Sequence, residues 1–221
     1  MQQEALIVLV GITAGHRDRD HVSRYFLQNS NYDVFVPALP YRRGLRDCAR
    51  WFSRYLETTV IPTRYASLHA VAYIAAGPLL RYLPARPEPL FERMVYIRGP
   101  FQERVAGRLI KRIGRTLAGL LMGRSMIDMV DGLPASLPQL RQSRHEGLII
   151  ELGRSWLARL LGIRAADLPA DAWTPAQLIP TAEAVLHIPE SHDDVYTTDR
   201  VLAAALHFVR NGTFPAASQA D

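Results

Sequence analysis

The segment most informative about chemistry runs from Leu68 to Leu83, where an apolar strand passes directly into a helix through small residues. Such a sharp turn places one side chain at the tip of a strand and points backbone amides toward it. This arrangement suits nucleophilic catalysis, provided that the residue at the tip carries a nucleophile. The identity of that residue therefore decides which chemistry is available.

Strand and helix alternate through the first hundred residues, which places this turn within a larger pattern. Apolar runs predict strands at Leu6–Val10, Tyr32–Val36, Ser67–Tyr73 and Met94–Ile97. Between them, helical spacing predicts a helix that Asp20 caps and further helices at Leu45–Leu56 and Ala75–Tyr82. The alternation predicts an α/β fold with a doubly wound, mostly parallel sheet flanked by helices. Functional groups in such a sheet gather at the carboxyl ends of the strands.

The pattern changes after Pro100. The sequence predicts one long helix over Gln102–Leu121, a loop over Gly132–Ser143, strands at Gly147–Leu152 and Val185–Ile188, and a closing helix over Thr197–Val209. We find no linker, so we predict one domain over residues 1–221, with a frayed tail at 215–221.

The turn resembles the nucleophile elbow of the α/β-hydrolase superfamily, in particular its small bacterial lipase- and esterase-like members. Their elbow reads roughly Val-Gly-His-Ser-Met-Gly-Gly, so Tyr73 stands at the histidine and Ile74 at the nucleophilic serine. Further similar segments follow in the same order along the chain, at Val8–Gly11, Tyr32–Pro40, Met94–Pro100 and Phe208–Phe214. The resemblance implies an α/β-hydrolase-like fold with a degenerate triad, because an isoleucine side chain cannot form an acyl intermediate.

The resemblance also implies a base and an acid. His192 occupies the place of the catalytic histidine, and Asp171 is the candidate acid that would orient its imidazole, with Asp167 as a substitute. The alternatives are a surface histidine in an acidic loop and solvated loop carboxylates.

In this fold the oxyanion donors are backbone amides, here those of Ile12 and Ala75. We include Gly11, Thr13 and Tyr73 with them as oxyanion-loop and pocket residues. Alanines replace the usual elbow glycines, and a β-branched residue is unfavourable at strained φ/ψ. We therefore expect the turn to be relaxed compared with that of a working enzyme.

Three other residues could supply a nucleophile, and each has a simpler interpretation. Ser67 lies at the wrong end of its strand. Cys48 falls on an apolar helix face and fits a small core residue. Thr13 lies in the oxyanion loop with nothing beside it to activate its hydroxyl.

The resemblance assigns a lid-like helical region to about residues 101–145. Within it, residues 104–124 form a basic amphipathic helix whose apolar stripe includes Val105, Leu109 and Leu117. We interpret it first as a solvated helix packed on its own domain. The alternatives are a surface for an anionic membrane, a protein partner or a second copy of the chain.

Composition excludes several classes of protein. The net charge of +5 comes from scattered arginines, since Lys111 is the only lysine, so we expect no nucleic-acid partner. Cys48 is the only cysteine, which excludes an intramolecular disulfide and multi-cysteine zinc sites. The histidines and glycines match no metal-binding or phosphate-binding motif, and we predict no cofactor. Without a signal peptide or a membrane span, we expect a soluble, cytoplasmic protein.

These observations favour a non-catalytic pseudo-esterase that binds a small apolar ligand or a protein partner. The alternative is a cofactor-free hydrolase or lyase in which His192 acts without a serine nucleophile, for example by activating water.

Overall fold

The computed structural model describes residues 3–86, 88–99, 102–132, 142–162 and 179–215. Its strands are β1 (Ala5–Leu9), β2 (Asp33–Phe35), β3 (Leu68–Tyr73), β4 (Phe91–Arg98), β5 (Ser143–Gly153) and β6 (Ala184–Ser191). They form a six-stranded sheet in the order β2-β1-β3-β4-β5-β6, and every neighbouring pair is parallel. The predicted parallel α/β sheet is confirmed.

Helices precede or follow most of these strands. They are α1 (His16–Asn29), α2 (Leu45–Tyr55), α3 (Ala76–Leu80), α4 (Gln102–Ile113), α5 (Arg115–Met122), α6 (Arg124–Asp131), α7 (Trp156–Leu160) and α8 (Asp199–Asn211). A 3-10 turn covers Tyr41–Arg43, and α2 continues through a π turn at Leu56–Val60. Helix α1 begins earlier than the predicted cap at Asp20, because the Asp18 carboxylate accepts a hydrogen bond from the Gly15 N–H at 2.7 Å.

Both faces of the sheet are covered, which explains why the central strands are apolar throughout. On one face, alternate residues of β1 such as Ile7 pack against α2 and α3 in one apolar cluster. On the other face, Leu6 and Val8 pack against α1 and α8 in a second cluster. The sheet thus separates two cores, and its strand ends are left to form sites.

The prediction of one long helix after residue 101 is wrong. The chain instead forms α4, α5 and α6, which are separated by Gly114 (φ 84°, ψ 153°) and Gly123 (φ 89°, ψ 164°). Only glycine adopts this backbone region readily, so each glycine ends a helix. The predicted apolar stripe is broken as a result, because Val105 is buried whereas Leu117 and Leu120 are exposed.

Helix α6 lies within the predicted lid-like helical region, although the sequence did not predict it as a separate helix, and it is fixed to the start of α2. The Asp128 carboxylate accepts a hydrogen bond from the Leu45 N–H at 2.9 Å and pairs with Arg124 at 3.0 Å. A carboxylate at a helix N-terminus satisfies an orphan amide and suits the helix dipole. Nowhere in the described ranges is a helix both long enough and apolar enough to cross a membrane.

Candidate functional site

The turn after β3 retains the strained backbone of an elbow. Ile74 has φ +39°, a left-handed value that is rare for a β-branched residue. The expected relaxation of this turn is therefore not observed. The Ile74 N–H donates a hydrogen bond to the Ile97 carbonyl of β4 at 3.0 Å, and α3 begins two residues later, so the neighbouring elements hold the conformation.

The Ile74 side chain is almost completely buried and packs in the cluster beneath α2 and α3. A residue in a sparsely populated backbone region costs about 1–3 kcal/mol. Burying an isoleucine side chain stabilises the fold by a similar amount, about 1.5–3 kcal/mol. Burial of this side chain can therefore offset the strain of the turn.

Two tyrosine hydroxyls fix the chain where it leaves β1. The Tyr41 hydroxyl donates a hydrogen bond to the Val10 carbonyl at 2.7 Å, and the Gly11 N–H donates to the Tyr196 hydroxyl at 3.2 Å. Gly11 is needed for this approach, since a Cβ there would lie 2.3 Å from the Tyr196 hydroxyl. The tyrosines thereby position the loop that carries Ile12 and Thr13.

The amides predicted to bind an oxyanion are those of Ile12 and Ala75. Within the described part of the chain, neither N–H donates a hydrogen bond to another residue. Buried or half-buried amides without protein partners are suitable donors for a ligand oxygen. Both amides are therefore available to donate hydrogen bonds to a ligand oxygen, and the side chain beside them is the hydrocarbon of Ile74.

Tyr73 is placed differently from its neighbour at the tip. Its side chain is fully buried on the other face of the sheet, where its ring lies 4.7 Å from that of Tyr196. Burial, and secondarily the charge of Glu151, raise the pKa of both phenols. Tyr73 therefore supports the site from beneath.

A buried carboxylate accompanies the predicted base. His192 Nδ1 lies 3.4 Å from an oxygen of Glu151, whose side chain is 1% exposed at the end of β5. The His192 side chain is 18% exposed, so the surface alternative does not describe it. An acid at this distance can orient an imidazole and stabilise its protonated form. Asp171 and Asp167, the predicted acids, lie outside the described residues.

Sequence reasoning missed Glu151 because it lies within a predicted strand, not in a loop. Its signal was a single acidic residue at the end of an apolar run. Arg98, at the end of β4, is nearly buried beside it, and desolvation lowers the pKa of this guanidinium to about 10 while the charge of Glu151 opposes that shift. Glu151 therefore interacts electrostatically with the ends of two neighbouring elements.

The acidic residues after His192 are structural. Asp193 accepts a hydrogen bond from the Trp156 N–H at 2.5 Å, at the start of α7. Asp194 accepts one from the Ser191 hydroxyl at 2.5 Å. The loop that presents the imidazole is thus joined to a helix on one side and to its own strand on the other.

The imidazole and the elbow meet at a cavity of about 60 Å³. Helices α4, α5 and α6 cover it, with α7 and the loops after β1 and β6 at its sides. The lining is mainly apolar and comprises Ile12, Thr13, Ile74, Val105, Ala106, Met122, Met126, Met129, Ser155, Trp156, Leu157, His192 and Asp193. The sequence had predicted four of these, namely Ile12, Thr13, Ile74 and His192.

None of the three other candidate nucleophiles, Cys48, Ser67 and Thr13, stands at the tip of the elbow. Cys48 is buried, and burial raises the pKa of its thiol to about 11. Ser67 lies at the opposite edge of the sheet, where it donates to Glu4. Thr13 does line the cavity, and so does Ser155, which the sequence analysis missed. The Ser155 hydroxyl caps α7 by accepting from the Ala158 N–H at 3.2 Å.

In the described ranges no group of three or more histidine, cysteine, aspartate or glutamate side chains is arranged to hold an ion. What the site offers is one imidazole with a buried acid, two amides and an apolar cavity.

Comparison of the chain with known proteins identifies its fold. No protein-family profile and no curated protein matches the chain. Among solved structures, it is similar to the pyrethroid hydrolase PytH (12% identity, TM-score 0.57, covering 96% of this chain and 99% of that one). It is also similar to polyneuridine aldehyde esterase (12%, 0.56, 94% and 99%) and to an esterase of Pyrococcus furiosus (10%, 0.58, 94% and 82%). The chain therefore has the α/β-hydrolase fold.

Proposed function

We propose that this protein binds a small, largely apolar ligand in the cavity beneath α4–α6 and does not pass it through an acyl-enzyme. One observation carries the proposal: the side chain at the tip of the elbow is that of Ile74, which lines the cavity and cannot attack a carbonyl. The fold supplies the pocket, and the residue at its base makes that pocket apolar.

The walls of the cavity support an apolar occupant. Met122, Met126 and Met129 line it from the covering helices, and methionine adapts to irregular ligand shapes. Its volume of about 60 Å³ is several times the roughly 10–15 Å³ that a cavity needs to hold one water molecule, so a compact group of a few heavy atoms would fit. Burial of such a group would be favourable by about 25 cal/mol per Å² of apolar surface.

The experiment for catalysis uses a fluorophosphonate probe and p-nitrophenyl esters. We expect no covalent labelling and no hydrolysis above the buffer rate. Labelling of the wild-type protein, or ordinary esterase turnover, would contradict the proposal.

The experiment for binding uses 1-octanol, titrated by calorimetry and by the fluorescence of Trp156, which lines the cavity. Ala106→Leu fills the cavity from α4 and should abolish binding. The matched control, Ala203→Leu, adds the same atoms at an exposed position of α8 and should leave binding unchanged. If Ala106→Leu binds 1-octanol as tightly as the wild type, the cavity is not the binding site.

A second function is favoured by the His192–Glu151 pair. A buried acid beside a cavity-lining imidazole is an arrangement suited to general-base chemistry, in which the imidazole removes a proton from water or from the ligand. In this case the protein is a cofactor-free enzyme.

The second function predicts that His192→Ala abolishes an activity that Ile74→Ala retains. The chain provides a matched control in His145, whose Nδ1 lies 3.0 Å from Glu183 on the surface. His145→Ala should leave the activity intact. Equal loss in His145→Ala and His192→Ala would remove His192 from the mechanism.

A further inference from the structure

A larger groove of about 690 Å³ adjoins the cavity on its outer side. The two spaces share four lining residues, namely Ile12, Thr13, Met122 and Trp156. The cavity and the groove therefore lie side by side, with these four residues at their boundary. A molecule with one end in the cavity would have to pass these side chains to reach the groove.

The groove differs from the cavity in charge. Arg19, Arg42 and Arg43 line it, and no aspartate or glutamate is among its lining residues within the described ranges. In the same ranges none of these arginines forms an ion pair, whereas other surface arginines such as Arg115 and Arg124 do. Three cationic groups along one groove, with no carboxylate among the described residues that line it, favour an anion.

Two of these arginines belong to the 3-10 turn Tyr41–Arg43, whose backbone is held in place by its neighbours. The hydroxyl of Tyr41, at its start, is bonded to the Val10 carbonyl at the tip of β1. On the other side Gly123 packs against it so closely that a Cβ there would lie 2.9 Å from the Arg42 Cα. Preorganisation of this kind lowers the cost of binding a ligand.

We infer that the ligand is an amphipathic organic anion. Its compact apolar end occupies the cavity beside Ile74, and its carboxylate or phosphate lies in the groove among Arg19, Arg42 and Arg43. Guanidinium groups bind both kinds of oxyanion, often through two parallel hydrogen bonds. The inference rests on the proposed binding function and specifies the class of ligand.

The test compares probes that share one apolar chain, namely octanoate, octyl phosphate and 1-octanol, by calorimetry with the 221-residue chain. We expect at least one of the two anions to bind about tenfold or more tightly than the alcohol, and its advantage to weaken with salt. Preference between octanoate and octyl phosphate identifies the headgroup. Arg42→Gln/Arg43→Gln should remove most of the advantage of the anion over 1-octanol.

A control variant separates a specific anion site from general attraction. Arg54→Gln/Arg108→Gln lowers the net charge equally at two exposed positions that do not line the groove, and it should keep the anion advantage. Arg19→Gln provides a second groove variant on a different helix. Thermal midpoints close to that of the wild type verify that each variant folds.

The outcomes distinguish this inference from the proposed function. If 1-octanol and both anions bind equally, or if the control loses the advantage as fully as the groove variants, the anion site is overturned while apolar binding stands. If no probe binds, both are overturned. If the anions bind more tightly but neither groove variant weakens them, the anion lies elsewhere, and the inference is wrong.

Discussion

The two edges of the sheet each hold a histidine near a carboxylate, with different results. At the amino-terminal edge, His69 Nε2 lies 3.2 Å from the Ser67 hydroxyl and 3.9 Å from Glu4, so the three residue types of a serine hydrolase stand together. At the carboxyl edge, His192 has its carboxylate but faces a cavity lined by Ile74. The amino-terminal edge has a serine, a histidine and an acid together. The carboxyl edge has a histidine and an acid beside the elbow and the cavity.

Geometry makes the first set inert. In a working triad the hydroxyl and the acid bond to different nitrogens of the imidazole. Here Ser67 donates its hydrogen to Glu4 at 2.5 Å, and both groups lie on the Nε2 side of His69. The imidazole is 1% exposed and packs against the Tyr32 ring at 5.3 Å. The comparison indicates what makes a candidate site. Position at the carboxyl ends of the strands, beside an elbow and a cavity, is more informative than the presence of the right residue types.

The largest expected effect comes from completing the second edge with Ile74→Ser. Because the backbone at Ile74 already has the strained elbow conformation, the new hydroxyl should point into the cavity that His192 lines. We expect fluorophosphonate labelling and a rise in p-nitrophenyl ester hydrolysis of roughly 10³-fold or more over the wild type.

The control for that prediction uses the two histidines. His192→Ala in the Ile74→Ser background should remove the gain, and His69→Ala should not. Absence of labelling in correctly folded Ile74→Ser would show that the carboxyl edge lacks more than its nucleophile, and the comparison between the edges would fail.

A second prediction concerns the pairing of β5 with β6 at Gly153 and Ser191, close to Glu151 and His192. A Cβ on Gly153 would lie 2.6 Å from the Ser191 nitrogen and 2.7 Å from the Pro189 carbonyl oxygen, and backbone atoms cannot give way cheaply. We expect Gly153→Ala to lower the free energy of unfolding by about 2–3 kcal/mol, measured with urea. Gly107→Ala, where a Cβ meets only Val130 at 3.6 Å, should be neutral or stabilising.

A third prediction concerns Tyr196. Replacing it with phenylalanine leaves the Gly11 N–H buried without an acceptor, which should cost about 1–3 kcal/mol of unfolding free energy. The matched variant at the other edge is Tyr65→Phe, which removes a 2.7 Å bond to Asp33. Because Gln3 also donates to Asp33, we expect a smaller loss there. Equal losses would mean that the two edges depend similarly on their tyrosines.

The smallest expected effect is a pH dependence at the first edge. Burial lowers the pKa of His69 below its ordinary value of 6.5, although Glu4 opposes the shift. The unfolded chain therefore takes up this proton first, so stability is full above about pH 6.5 and falls as the pH drops through that value, by up to about 1.4 kcal/mol per unit.

His69→Gln should reduce that slope in urea unfolding compared between about pH 7.5 and 5.5. His16→Gln, at a histidine that is 80% exposed, should not. Identical slopes in the wild type and His69→Gln would contradict the assignment.

Periodicity and turn chemistry predicted the parallel sheet and the sharp turn after β3, because these depend on local patterns. His192 came instead from the resemblance to the α/β-hydrolase superfamily. The rest depends on tertiary structure. The strain at Ile74 is set by a hydrogen bond to Ile97 on a neighbouring strand. The role of Glu151 requires β5 to lie beside β6, which no local pattern reveals. The break between α4, α5 and α6 has a local cause. Gly114 and Gly123 are visible in the sequence, but the regular spacing of the apolar residues around them favoured one continuous helix.

These glycines have a consequence for how the roof of the cavity could diversify. Gly114, Gly123 and Gly132 recur at a constant interval, with φ of 84°, 89° and 79° and ψ of 153°, 164° and 162°. The helices that cover the cavity are thus short and are joined at single glycines. The angle between two successive helices depends on the φ and ψ of the glycine that joins them. Substitution of one of these glycines would change the shape of the cavity while the six-stranded sheet remains unchanged.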